Sequence, residues 1–147
     1  MSGNDRGWLR REIQRAHQRS AAVPDRPVVV SGNAYAIDDA IRNLVENAVV
    51  HAPPRTEVTV STRADGSIDI SDSGPGVPKE DRERVFERFW RGNAAPSHGA
   101  GLGLAIVAEI MKAHGGDVRV DTGPDGGAVF TLVFSPALAQ QWPAEAR

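Results

Sequence analysis

Hydrophobic spacing changes its period along this chain, and that change constrains the fold more than any other feature of the sequence. Across residues 34–51, Ile37, Ile41, Leu44, Val45 and Ala48 recur at intervals of three and four, the spacing of a helix that buries one side against a sheet. Pro53-Pro54 stops it, since proline has no N–H to donate and disfavours helical backbone in the residue before it. Residues 57–63 (EVTVSTR) and 67–71 (SIDIS) then alternate with a period of two across the turn Asp65-Gly66, which predicts a β-hairpin. A second helix is expected over 102–113, stopped by Gly115-Gly116, and two more strands, 117–121 and 128–134, flank the turn from Gly123 to Gly127. Hairpin spacings and clustered final strands favour a mixed, mostly antiparallel sheet over a doubly wound parallel one. The expected fold class is a two-layer α/β sandwich with its helices on one face of the sheet.

The remaining segments are read by the same rules. Residues 8–22 place Trp8, Leu9, Ile13 and Ala16 near one helical face and end before Pro24, so a helix is expected there. Val28-Val29-Val30 reads as a short strand, residues 79–90 as a charged helical piece, and 92–101 as a mobile loop rich in glycine and small residues. The chain divides into a helix-and-linker region, 1–26, one domain, 27–136, and a flexible tail, 137–147. With 147 residues, 40% of them hydrophobic and 24% charged, only one core of ordinary size fits. A formal charge of −2 leaves no dense basic surface, and no nucleic-acid role is expected. The absence of cysteine excludes disulfides, thiolate metal sites and cysteine nucleophiles. No run approaches the roughly 18 apolar residues of a membrane span, and residues 1–11 are polar, so a soluble chain without a signal peptide is expected.

Three features carry chemistry. Asn43 and Asn47 lie one turn apart on the same face of the first helix. Each amide must find partners when buried, so the pair serves either as a polar helix edge or as ligands; an amide oxygen is a hard neutral donor suited to magnesium. The loop Asp72-Ser73-Gly74-Pro75-Gly76 follows a strand at once. Taken alone it is a common turn, yet its glycines admit a flat ligand, and Asp72 at the strand end can accept from an exocyclic amine. A carboxylate there selects adenine over guanine, whose O6 acceptor would leave both groups unpaired. The third feature is Gly99-Ala100-Gly101-Leu102-Gly103-Leu104, which runs directly into a helix. Its main-chain N–H groups can hold phosphate oxygens; the alternative is a flexible hinge before a packing helix. The spacing GxGxG lacks the lysine of a P-loop and differs from GxGxxG.

In order, Asn43-Leu44-Val45-Glu46-Asn47-Ala48, DSGPGVP from Asp72, RVFERFWRG from Arg84 and GAGLGLAIV from Gly99 resemble the N, G1, F and G2 boxes of sensor histidine kinases. The chain is thereby similar to their ATP-binding catalytic domain, which implies a Bergerat-type fold with ATP and magnesium as cofactors. The resemblance implies Asn47 as the magnesium ligand, Asn43 as its partner near the phosphates, and His51 beside them. It implies Asp72 as the adenine-reading carboxylate, Gly74 and Gly76 as the shapers of the purine pocket, and Gly99, Gly101 and Gly103, with the backbone of Leu102 and Leu104, around the phosphates. Phe86 and Phe89 match aromatics that pack a mobile lid or a partner helix, and Arg91 is placed to reach the γ-phosphate. Two departures stand out: Val50 where the family often has a basic residue, and Ala128 where a threonine is frequent, its hydroxyl to be replaced by water.

The implied reaction is donation of the γ-phosphate to a histidine on a separate dimerisation domain of the same parent protein, with a response regulator as the indirect partner. None of the four histidines fits the phosphoacceptor pattern. His17 and His98 read as a solvated surface residue and a lid residue, and His114 as a helix-end cap favoured by its partial positive charge. The chain alone is expected to be a monomer that binds ATP without labelling itself, in the cytoplasm, its parent anchored in the plasma membrane. Two other classes compete. ATPases of the gyrase and heat-shock-chaperone type, and anti-sigma serine kinases, share the pocket but usually carry a glutamate base where this chain has Asn43, which cannot abstract a proton. A regulatory module that binds no nucleotide is the other, favoured by Val50 and Ala128 and opposed by Asn47, Asp72 and the glycine loops.

Overall fold

The computed structural model describes residues 20–22, 28–30, 32–53, 55–90, 102–134 and 139–141. Chain order is β1 (Ser20–Ala22), β2 (Val28–Val30), α1 (Ala34–His51), β3 (Thr59–Thr62), β4 (Ile68–Ser71), 3₁₀ turns at Lys79–Asp81 and Arg84–Phe86, α2 (Gly103–Ala113), β5 (Asp117–Thr122), β6 (Ala128–Val133) and β7 (Ala139–Gln141). One sheet has the order β1-β3-β4-β6-β5; β1 runs parallel to β3 and every other pair is antiparallel. The sheet is therefore mixed and mostly antiparallel, and the chain is a two-layer α/β fold as the spacing predicts.

Alternation along the strands separates the two faces. Val60, Ile70, Phe130 and Val120 stand side by side in register and are buried with Leu44, Val45 and Ala48 of α1 and Val107 and Met111 of α2. Both helices thus cover one face. On the other face the register aligns Ser61, Asp69, Thr131 and Arg119. Asp69 is buried there without cost to hydrogen bonding: it accepts from Thr131 Oγ1 at 2.6 Å and Arg63 Nε at 2.7 Å. That pairing holds the Arg63 guanidinium above its ordinary pKa, chiefly through the hydrogen bond to Asp69. At the hairpin turn the Ser67 backbone N–H donates to Asp65 Oδ1 at 2.8 Å and lowers that carboxyl's pKa.

α1 begins where Asn33, in extended conformation, lets its Oδ1 accept the N–H groups of Tyr35 and Ala36 at 3.0 and 3.1 Å. These satisfy two of the four donors left free at a helix start. Asn33→Ala is expected to lower stability by about 1 kcal/mol in urea unfolding, with Asn33→Asp close to wild type. The Asn33 N–H itself donates to His114 Nε2 at 3.0 Å, while His114 Nδ1 lies 2.7 Å from the Ile110 carbonyl. With Nε2 accepting from Asn33, Nδ1 is the ring atom turned to the Ile110 carbonyl, and His114 joins the end of α2 to the start of α1. His114 is thus the cap at the end of α2 that its position predicts.

Three expectations change. Of the helix expected over 8–22, Ser20–Ala22 instead form β1, paired with β3; the rest lies outside the described residues. An open sheet edge offers these small residues backbone partners that a weak local helix pattern cannot match. Within the segment expected as a flexible tail, Ala139–Gln141 form β7, antiparallel to β2 in a two-stranded ribbon. The charged piece at 79–90 is two separate 3₁₀ turns, because Glu87 is extended and Phe89 takes a left-handed φ of 64°. Breaking there buries Val85 and lets Phe86 meet Phe130 edge to face, with ring centroids 6.1 Å apart. Among the described residues no helix is long and apolar enough to cross a membrane.

Candidate functional site

α1 is the spine on which the expected site residues converge. Asn43 and Asn47 sit half-buried on it, and they differ in what holds them. Asn43 Nδ2 donates to the Asp39 carbonyl at 2.8 Å, one turn back, which fixes the amide and leaves Oδ1 facing Gly103. A Cβ on Gly103 would lie 3.1 Å from that oxygen, so the start of α2 approaches α1 at Asn43. The amide of Asn47 makes no hydrogen bond among the described residues and is free to take a ligand.

The second meeting point is at the end of α1. A Cβ on Gly74 would lie 2.6 Å from the His51 carbonyl oxygen and 2.9 Å from Asp72 Oδ1, so only glycine lets the loop after β4 close onto the helix. His51 enters the site through this main-chain contact; its residue is otherwise exposed. Asp72 is 8% exposed. Its Oδ1 accepts the Gly74 N–H at 2.7 Å and the Ala128 N–H at 3.4 Å, and its own N–H donates to the Ala128 carbonyl at 3.0 Å. Oδ2 has no partner among the described residues. A carboxylate held this way by main chain presents one oriented acceptor, which suits an amine donor on a planar ring.

The third component is the start of α2. Leu102 is its N-cap, with no side-chain cap, in contrast to α1 with Asn33, and its first turn holds no acidic residue. The first N–H groups of α2 therefore remain available to an anion. Leu104 turns its side chain into the core, so its role at the site is confined to backbone, while Leu102 is exposed. Arg91, Gly99 and Gly101 lie outside the described residues.

Phe86 packs inward on Phe130, so it braces the domain's own core; Phe89 is 66% exposed. Val50 is exposed, as a basic residue in its place would be. Ala128 meets Asp72 through its main chain, its N–H donating to Oδ1 and its carbonyl accepting the Asp72 N–H. Sequence reasoning placed Ala128 at the site but missed that Gly126 and Gly127 touch it, having read Gly123 to Gly127 only as a connection. The adjacent glycines Gly126-Gly127 were the available signal, since one turn rarely needs two for conformation alone.

Comparison with known proteins gives a consistent assignment. A family described as "Histidine kinase-, DNA gyrase B-, and HSP90-like ATPase" matches residues 32–138. The sensor-like histidine kinase SenX3 of Mycobacterium tuberculosis is 41% identical over 124 residues, which cover 80% of this chain and 30% of that protein. The signal transduction histidine-protein kinase/phosphatase MprB of Mycolicibacterium smegmatis is 43% identical over 103 residues, 67% of this chain and 21% of that protein. The chain thus spans under a third of the curated relatives it matches. Among solved structures, a mycobacterial sensor histidine kinase MprB aligns over 91% of this chain and 92% of its own, with 32% identity and a TM-score of 0.76. Full-length ShkA in complex with AMPPNP aligns over 88% of this chain and 30% of its own, with 28% identity and a TM-score of 0.70.

Proposed function

This chain belongs to the family of histidine kinase-, DNA gyrase B- and HSP90-like ATPases, in its sensor histidine kinase branch, and from that premise we propose that it binds ATP with magnesium and sets the γ-phosphate for transfer to a histidine on a separate dimerisation domain. The observation that carries the reading is the carboxylate of Asp72. It is buried at a strand end, with Oδ1 held by the Gly74 and Ala128 amides and Oδ2 uncommitted among the described residues. An acceptor fixed in that way fits the 6-amino group of adenine and rejects the O6 of guanine.

The other residues fit the same occupant. The free amide of Asn47 fits an oxygen ligand to magnesium, and Asn43, locked by the Asp39 carbonyl, holds α1 against the start of α2. Magnesium bound with the nucleotide neutralises charge on the β- and γ-phosphates. The uncapped start of α2 receives phosphate oxygens on the N–H groups of Gly103 and Leu104. Gly99, Gly101 and Arg91 complete the phosphate site on sequence grounds. With an asparagine at position 43, the α1 face bearing Asn47 offers no carboxylate there to activate water, which supports transfer to a partner domain over hydrolysis. The chain works in the cytoplasm as part of a longer sensor kinase anchored in the membrane, and its phosphoryl group passes on to a response regulator.

Calorimetric titration tests this reading. Wild type is expected to bind ATP, more weakly without magnesium, and Asn47→Ala is expected to bind without metal dependence. With a separately supplied dimerisation domain the chain labels that domain on histidine and does not label itself. Failure of the folded chain to bind ATP, or phosphohistidine on the chain alone, contradicts the proposal.

A further inference from the structure

Opposite the purine loop lies a turn that takes no part in the reading above. The β5–β6 connection is closed by the Gly123 N–H donating to the Gly127 carbonyl at 2.8 Å and the Gly126 N–H donating to the Gly123 carbonyl at 3.0 Å. Its two consecutive glycines are glycine for opposite reasons. Gly126 has φ +84°, and a Cβ there would meet nothing within 4 Å, so its need is conformational. Gly127 is not among the positive-φ glycines, and its backbone would accept alanine. The obstacle at Gly127 is a neighbour: a Cβ there would run into the main-chain carbonyl of Asp72 and come within 3.0 Å of Ser73 Cα.

A second contact faces the first. Gly76, with φ +75°, would place a Cβ 2.6 Å from the Gly126 carbonyl oxygen. The turn and the loop after β4 therefore press together backbone to backbone, and Ala128, the next residue, supplies both main-chain hydrogen bonds to Asp72. Those two polar groups of Ala128 point towards Asp72, so they are not engaged with β5.

From these contacts we infer that the β5–β6 turn is a specificity-determining element, with Gly127 as the positioning residue that seats Asp72 so that its free oxygen reads the 6-amino group of a purine. Gly127 does not touch the nucleotide. It lets the hairpin approach closely enough for the Ala128 N–H to reach Asp72 Oδ1, and with the Gly74 N–H this fixes the carboxylate's rotation. A side chain at 127 moves the strand end and turns Oδ2 away from the ligand plane. The inference rests on the proposal that Asp72 recognises adenine, and its test separates the two.

The experiment uses the whole chain as wild type, Gly127→Ala and Asp72→Asn, titrated with ATP and with purine riboside triphosphate, which lacks the 6-amino group. Wild type is expected to prefer ATP. In Gly127→Ala that preference falls about tenfold, through loss of ATP affinity alone, because only the amine contact depends on the seating of Asp72. Equal weakening for both nucleotides, or no weakening, overturns the inference. A nucleotide-independent measurement runs beside it. Amide exchange of Gly74, whose N–H donates to Asp72 Oδ1 at 2.7 Å, is expected to accelerate in ligand-free Gly127→Ala. An unchanged Gly74 amide overturns the inference whatever the nucleotide data show. If wild type binds both nucleotides equally while the Gly74 amide still responds, the seating of Asp72 by Gly127 stands and the adenine reading fails, which removes the specificity role. Should Gly127→Ala not fold, Ala128→Pro deletes the N–H that Asp72 accepts and carries the same expectations.

Discussion

Asp72→Asn is expected to weaken ATP binding about 100-fold, a loss of roughly 2.7 kcal/mol, while leaving the fold nearly as stable as wild type. Asparagine Oδ1 can take over the Gly74 and Ala128 amides that now hold Asp72 Oδ1. Its NH₂ group then occupies the place of Oδ2 and confronts the adenine amine, donor against donor, in a site that excludes water. The same NH₂ can donate to the O6 of guanine, so the ratio of ATP to GTP affinity falls further than ATP affinity alone. Calorimetry gives both affinities, and a thermal unfolding curve gives the control. A variant that loses several degrees of melting temperature and keeps its nucleotide preference would make Asp72 a structural residue.

Phe130→Ala is expected to cost about 3–5 kcal/mol of folding stability, a large share of the roughly 5–15 kcal/mol that holds an ordinary domain together. Phe130 is 1% exposed at the centre of the sheet, with Ile70 and Val120 beside it in register and the Phe86 ring against it at 89°. Ile70 and Val120 are fixed by strand pairing, so the space closes only in part. Removing the ring also removes the support of Phe86, so the 3₁₀ segment loosens together with the core. Urea unfolding should show a lower midpoint with little change in slope. A loss below about 1 kcal/mol would mean that Phe86 and its neighbours close over the space the ring leaves.

The elements that could be read from sequence are those whose pattern and tertiary role agree. α1 spans Ala34–His51, the segment chosen by its apolar spacing, and both hairpins fall on their alternating runs. Expectations gave way where pairing with a distant segment decided the outcome. Ser20–Ala22 became a strand because β3 offered an edge, and Ala139–Gln141 because β2 did. Neither partnership leaves a trace in local spacing. The site divides in the same way. Asn43, Asn47 and Asp72 stand out as candidates because their chemistry is written in their side chains. The contributions of Gly127 and Ala128 are made by main chain and by the absence of a side chain, and residue identity alone does not distinguish them from an ordinary turn. His114 shows the same limit: its helix-end position was legible, whereas the Asn33 N–H that its ring accepts lies 81 residues away.

Among the described residues, strand β5 ends the sheet with one side unpaired, and its outward residues Asp117, Arg119 and Asp121 are each more than half exposed. The sequence of signs along that border is a palindrome: negative, positive, negative. If two molecules met there as antiparallel strands centred on Arg119, the arginines would face each other and each Asp117 would face an Asp121, repulsion at all three positions. A slip by two residues would bring opposite signs together, but at fewer positions. The border thus discourages the most extensive self-pairing open to it.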